Sequence, residues 1–334
     1  MEAPNATFAS HSWECGSVEK SWHTVVPILY FLLFPPAFLI NVMVAWICTH
    51  LRTKSTFMVY LKHLVVADLL MTLTFPVRAA SMLPKASPGL QAFACRFSSV
   101  FFYLAMNMST ILMGLISLDR FLKIVMPGRR FLCQSLLFSK VLTAVVWMSL
   151  IGSNTLPIII TTDQDPTNKS NEFCMAMKSD VGRSWHKGVI MFSKVIFWIV
   201  CGTVMLCYMC IAKKVLKSYR KSRSSNSQGK RKAKVRVFLI LFVFVICYIP
   251  FHLVRIPYTN LQVISTHTCS KATLKIVKDL TLWLSATNVC LDPLIYFFLC
   301  KAFRKMFLRS YSFKKLLQSF DTHEDASQSA ETSF

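Results

Sequence analysis

Two carboxylates stand deep inside long apolar stretches of this chain: Asp68 within Thr56–Met82, and Asp292 within Lys278–Cys300. An ionised side chain at the centre of a bilayer costs about 2.5–3.5 kcal/mol on insertion scales, so each must face a polar interior rather than lipid. Asn41, Ser109 and Asn288 fall at comparable depth in other apolar stretches. Asp68, Ser109, Asn288 and Asp292 together form a donor set for a hydrated sodium ion. The simpler alternative is a water-filled hydrogen-bond network that only packs helices. A third acid, Asp119, is followed directly by Arg120 at the end of an apolar run. Such a pair is an ion-pair lock that opens when a partner offers better contacts. The remaining chemistry is cationic. Arg78, Lys178, Lys187, Arg255 and Lys278 lie at or beside the ends of apolar runs, and guanidinium forks with ammonium point charges are what diphosphate recognition requires. Tyr103 and Tyr258 offer faces for a base, and His186 a donor to phosphate or ribose. Lys187 and Lys194 read more simply as side chains reaching for lipid headgroups. The cysteines and histidines show no metal-binding spacing and no nucleophile–base pair stands out, which leaves an enzyme the least supported class.

The elements that must hold these groups follow from composition. The 334 residues carry 38 Lys+Arg against 15 Asp+Glu, a formal charge of +23, yet 54% are hydrophobic and only 16% charged; mean hydropathy is +0.48. A soluble nucleic-acid binder would spread more charge through its length, and a disordered chain would lack the 27 Phe. A membrane-crossing helix needs about 20 mostly apolar residues. Seven segments qualify: Thr24–Thr49, Thr56–Met82, Phe97–Leu118, Val141–Thr162, His186–Ala212, Val237–Val254 and Lys278–Cys300. Period-2 alternation is not sustained, which argues against a membrane β-barrel. The fold expected is an all-α membrane protein, a bundle of seven transmembrane helices.

Charge sets the orientation. Lys213–Arg236 holds eleven Lys/Arg and Lys301–Lys315 six, with no acid in either, and the first and second inner loops are likewise basic. By the positive-inside rule these segments are cytoplasmic and the N-terminus extracellular. The expected divisions are an extracellular N-terminus (1–23), the seven-span domain (24–300), an amphipathic helix on the inner leaflet (301–315) and a disordered, phosphorylatable tail (316–334). Asn5 and Asn168 open glycosylation sequons on the outer side. Cys15, Cys95, Cys174 and Cys269 also fall outside, an even number open to three disulfide connectivities. Cys300, beside the basic stretch, is open to palmitoylation. The outer side and outer half hold thirteen bases against eight acids, a residual positive field where an anionic ligand would enter.

One set of residues per span carries a resemblance: Asn41; Leu64-Val65-Val66-Ala67-Asp68; Asp119-Arg120-Phe121; Trp147; Tyr208; Cys247-Tyr248-Ile249-Pro250; and Asp292-Pro293-Leu294-Ile295-Tyr296. In order and in the right spans, these resemble a class A (rhodopsin-like) G-protein-coupled receptor over nearly the whole chain. The run Phe251–Thr259, with Leu73-Thr74-Phe75-Pro76, Trp185-His186 and Lys278–Trp283, is similar to the Gi-coupled purinergic nucleotide receptors, nearest to the ADP receptors. The resemblance implies disulfides Cys95–Cys174 and Cys15–Cys269. It implies ligand contacts at Ser99, Tyr103, Lys178, His186, Arg255, Tyr258, Gln262 and Lys278, and a switch built on Asp119, Arg120, Tyr208, Tyr248, Pro250, Asp292, Pro293 and Tyr296. The implied partners are an extracellular nucleotide, a Gi heterotrimer, and arrestin and a receptor kinase at the tail, in the plasma membrane, with no nucleic acid and no cofactor beyond an allosteric sodium ion. Three positions depart from the ADP-receptor pattern: Gln91 replaces an Arg, and Ile158 and Ile190 each replace an Asn. An apolar pocket wall there fits a related orphan, lysophospholipid or UDP-sugar receptor. A transporter is the competing reading from another class. It accounts for Asp68 and Asp292, but not for the Asp119-Arg120 end or the single cation-rich outer region.

Overall fold

The computed structural model describes the backbone of residues 6–53, 55–127, 134–163, 173–221, 227–261, 269–299 and 303–308. Side chains at 6–21, 23, 216, 218–221, 227–240, 259–261, 269–272 and 299 lie outside the description. Seven helices are long and apolar enough to cross a membrane: Thr24–His50, Thr56–Met82, Pro88–Val125, Leu136–Ile160, Asp180–Val215, Leu241–Tyr258 and Thr273–Phe298. They are called spans one to seven below. Among the described residues the only β-type pairing is one isolated bridge, Thr162 to Lys178. The chain is thus a multi-pass, all-α membrane protein.

Several helices run beyond the apolar segments. Span one belongs to a helix covering Ala6–His50, span five to Asp180–Lys221 and span six to Ser227–Leu261. Apolarity marks where lipid begins, whereas the helix ends only where its backbone bonding is interrupted or capped. Capping sets the near ends of spans two to four: the hydroxyls of Ser55, Ser87 and Ser135 accept from the amides of Met58, Leu90 and Phe138. Pro88, whose missing N–H costs nothing in a first turn, follows Ser87.

Spans two and three form the centre of the bundle, and their most apolar windows are two-thirds buried. Leu64, Ala67, Met71 and Phe75 on span two pack with Phe102, Met106, Leu112 and Ile116 on span three. Span four is peripheral: Leu137, Met148 and Ile160 are about 70% exposed, the face a helix presents to lipid rather than water. Span three approaches span five closely at Gly114, where a Cβ would come within 2.9 Å of Val200. Span seven is interrupted at Thr287, between Cys269–Ala286 and Asn288–Leu299. Pro293 lies further along the same span and has no N–H to offer the Val289 carbonyl. Asn41 Nδ2 donates to that carbonyl at 2.9 Å, so span one supplies the bond that the proline removes.

After span seven, residues 303–308 are helical, with Phe303 buried and Lys305 and Leu308 exposed. Phe303 lies edge-on to Tyr296 at 6.2 Å. This is the described part of the expected eighth helix. Its remainder, the tail, Cys300, Asn5, Asn168 and Gln262 lie outside the described residues, as do the side chains of Cys15 and Cys269.

Candidate functional site

The ends of spans three, five, six and seven on the side of the Cys95–Cys174 bridge bring most of the expected ligand residues together. Span six turns Arg255 inward, and its guanidinium sits 5.4 Å from the Tyr103 ring centre on span three and 5.5 Å from Phe251. Span seven places the Lys278 ammonium 4.7 Å from the Tyr258 ring on span six. Cation–ring contacts of this kind are worth about 0.5–2 kcal/mol and hold a charge in place without neutralising it. Lys278 also pairs with Asp279 at 2.8 Å, a carboxylate that the sequence reading left out of the site. His186, half-buried on span five, lies within electrostatic reach of both Lys178 and Arg255, and its Nδ1 is buried with no hydrogen-bond partner among the described residues. Ser99 sits near the N-terminal end of span three, just after the wide turn Ala94–Ser98. Lys187 is exposed.

Lys178 is brought in by a covalent tie. Cys95, in that wide turn, is bonded to Cys174, which lies in a single helical turn, Phe173–Ala176. Four residues on, Lys178 is only 5% exposed; its Nζ donates to Thr162 Oγ1 at 2.8 Å and its backbone closes the bridge to Thr162. Burial pushes the Lys178 ammonium down to about 8. Of the departing positions, Ile158 is buried and Ile190 half-buried, and both side chains are apolar. Stacking of His252 on Phe197, at 3.6 Å and nearly parallel, forms a floor between spans five and six that the sequence reading did not identify.

A second constellation lies midway through the bundle. Asn41, Asp68, Ser109, Asn288 and Asp292 are all fully buried. Tyr296 Oη donates to Asp68 Oδ2 at 2.8 Å, and Asn288 Nδ2 donates to Tyr248 Oη at 2.5 Å and Asp292 Oδ2 at 3.4 Å. Polar atoms thus link span seven to span two and to span six. One oxygen on each of Asn41, Asp68, Ser109, Asn288 and Asp292 has no hydrogen-bond partner among the described residues. Buried oxygens left in this state cost about 1–3 kcal/mol apiece unless water or a cation meets them.

At the C-terminal end of span three, Asp119 finds partners other than the neighbour that the sequence suggested. Lys123 binds it at 2.7 Å, and Thr56 Oγ1 on span two donates to it at 2.5 Å. The Arg120 guanidinium lies 3.9 Å from the Phe57 ring centre. Residues four apart on a helix share a face, which favours Lys123 as the partner of Asp119. The Asp119–Lys123 spacing was the available signal. Tyr208 is buried on span five, within electrostatic reach of Arg120.

Comparison with known proteins accords with this geometry. Residues 40–296 match the family model of the seven-transmembrane receptor (rhodopsin family). The chain is 41% identical over 306 residues to purinoceptor 14 of Bos taurus, covering 91% of this chain and 89% of that one. It is 38% identical over 307 residues to purinoceptor 13 of Homo sapiens (91% and 86%) and 39% identical over 309 residues to G-protein coupled receptor 87 of Mus musculus (92% and 86%). Seven spans, the Cys95–Cys174 tie and a family match from span one to span seven lead to one conclusion: the chain belongs to the rhodopsin family of seven-transmembrane G-protein-coupled receptors, and is a receptor rather than an enzyme.

Proposed function

We infer that this receptor is activated by an extracellular nucleotide of ADP type and signals through Gi to inhibit adenylyl cyclase, with its N-terminus outside the cell and its C-terminus in the cytoplasm. The observation carrying this reading is the placement of Arg255 on Tyr103 and of Lys278 on Tyr258, with His186 in the field of both Arg255 and the buried Lys178; cations in a low-dielectric wall pull strongly on an anion. The similarity to proteins named purinoceptors supports it. Phosphates would take the Arg255 fork and the two ammonium groups, and the base a tyrosine face, with Ser99, His186 and Gln262 completing the contacts.

A ligand joining spans six and seven favours one packing of the bundle only by the difference between its affinities for the two states. Pro250 weakens the backbone of span six. Outward movement of the inner end would release Arg120 from Phe57 and open a groove for a G-protein helix, with the basic third inner loop as a further contact. Tyr208, Tyr248, Pro293 and Tyr296 would rearrange with it. The phosphorylated tail would recruit arrestin after a receptor kinase acts. The unpartnered oxygens of Asp68, Ser109, Asn288 and Asp292 fit a sodium ion, a hard cation that takes oxygen donors. When bound, such an ion supplies a counter-charge to the two carboxylates and so favours the packing that keeps them together.

The second reading, a lysophospholipid or UDP-sugar receptor, is favoured by the apolar Ile158 and Ile190. Inhibition of cyclic AMP formation in transfected cells, screened with ADP, UDP-sugars and lysophospholipids, separates the two: a response to lysophospholipid alone overturns the nucleotide reading. A pH titration adds a residue-level test. Lys178 holds an anion while charged, so potency should be retained below about pH 8 and fall as pH rises through about 8. The bound anion raises that midpoint, because it favours the charged form. Lys178→Arg should abolish the fall, and a pH profile unchanged by that substitution would remove Lys178 from the site.

A further inference from the structure

We propose that an apolar groove between spans two and three, on the face turned away from the bundle, holds one membrane phospholipid, with an acyl chain in the groove and the phosphate on Arg96. Leu70, Leu73 and Val77 form one wall and Phe93, Phe97 and Phe101 the other, around a cavity of about 340 Å³. Leu73 is 56% exposed and Phe93 51%, so the groove opens to the side where lipid lies. At its floor Ser98 Oγ donates to the Thr74 carbonyl at 3.2 Å, and Thr74 Oγ1 to the Met71 carbonyl at 2.6 Å. These polar groups are satisfied and ask nothing of an occupant. Two backbone irregularities flank the groove: Pro76 within span two and the wide turn Ala94–Ser98 early in span three. Both kinds bend a helix away from regular packing. An unfilled space of this size forfeits the dispersion contacts its lining would make, and an acyl chain supplies them.

The cation beside the groove selects a phospholipid over a neutral lipid. The Arg96 guanidinium lies 5.6 Å from the ring centre of Phe97, one of the groove residues. Its Nε donates to the Ile159 carbonyl at 3.1 Å, which fixes the group in place. Among the described residues no carboxylate pairs with it. A guanidinium fork matches phosphate oxygens bidentately. Depth agrees. Arg96 and Arg120 stand on one helix, about 36 Å apart at 1.5 Å per residue, against a hydrocarbon thickness of about 30 Å. Arg120 ends the apolar run of span three, so Arg96 falls at headgroup depth on the opposite side. Lys85, exposed in the connection 83–87 at the same end, adds a second cation there.

The test uses the full-length purified receptor in detergent micelles and phosphatidylglycerol carrying a diazirine in one acyl chain, read as photolabelling of each peptide by mass spectrometry. Residues 70–77 and 93–101 are labelled well above the lipid-facing residues 137–148 of span four, which report ordinary surrounding lipid. Leu73→Trp fills the groove from an exposed position, and Arg96→Gln removes one charge-assisted contact. Each lowers labelling of the two segments about tenfold and leaves span four unchanged. Unlabelled phosphatidylglycerol competes, whereas glycerol phosphate, cholesterol and diacylglycerol with the same chains do not. Labelling of the two segments at the level of span four, or labelling that either substitution leaves unchanged, overturns the proposal. Competition by glycerol phosphate makes the site one for free phosphate, and competition by diacylglycerol or cholesterol one for neutral lipid; either result overturns the phospholipid assignment.

Discussion

Alanine at both Arg255 and Lys278 is expected to lower nucleotide potency by about a hundredfold or more, with surface expression preserved. Each removes a charge-assisted contact worth about 1.5–3 kcal/mol, and every 1.4 kcal/mol is a factor of about ten in affinity. The two changes should not be equal. Arg255 is held against rings, so its loss subtracts one cation from the site. Lys278 is ion-paired to Asp279, so its loss also exposes a carboxylate to the incoming phosphates. Lys278→Ala should therefore be the more damaging, and adding Asp279→Asn should restore part of the potency. Arg255→Lys keeps the charge but loses the fork, for an intermediate loss of about tenfold. Concentration–response curves for cyclic AMP inhibition check all these variants. Unchanged potency in the double alanine variant would place the phosphate site elsewhere.

Cys95→Ser or Cys174→Ser is expected to cost about 2–5 kcal/mol of stability, the usual range for a native disulfide. The bridge joins residues 79 positions apart, and span four and the covering loop lie between them. It also sets the position of Lys178, four residues beyond Cys174, so the same variants should lose ligand affinity and its fall above about pH 8. Thermal unfolding of detergent-solubilised receptor, with and without reductant, measures the first effect, and a pH series of binding the second. A bridge that only stabilises would lower the melting temperature and leave the pH profile unchanged.

Much of this was legible in the sequence for one physical reason: lipid leaves few solutions. Apolar runs had to be spans, and Asp68 and Asp292 had to face inward because a carboxylate in hydrocarbon is too costly; both are fully buried at the centre of the bundle. Helix ends were not legible. Spans three and five begin several residues before their apolar runs, at Pro88 and Asp180, because the hydroxyls of Ser87 and Ser179 accept from backbone amides there. Pairing was legible only where spacing determines it. Asp119 with Lys123 follows from a four-residue step, which adjacency to Arg120 overshadowed. Asn41 on the Val289 carbonyl joins residues 248 positions apart; the missing N–H of Pro293 announced that a carbonyl would need a donor, but not which span would supply it. Asp279 adjoins Lys278 in sequence, yet only the fold shows that their side chains pair.

The central claim is a nucleotide-operated switch coupled to Gi, and its most direct measurement is GTP exchange on purified Gi heterotrimer by membranes containing this receptor. ADP or a closely related nucleotide should accelerate exchange with the wild-type chain and leave the Arg255→Ala/Lys278→Ala variant at its basal rate. Exchange that no nucleotide alters in the wild type, or that the double variant still shows in full, would contradict the account.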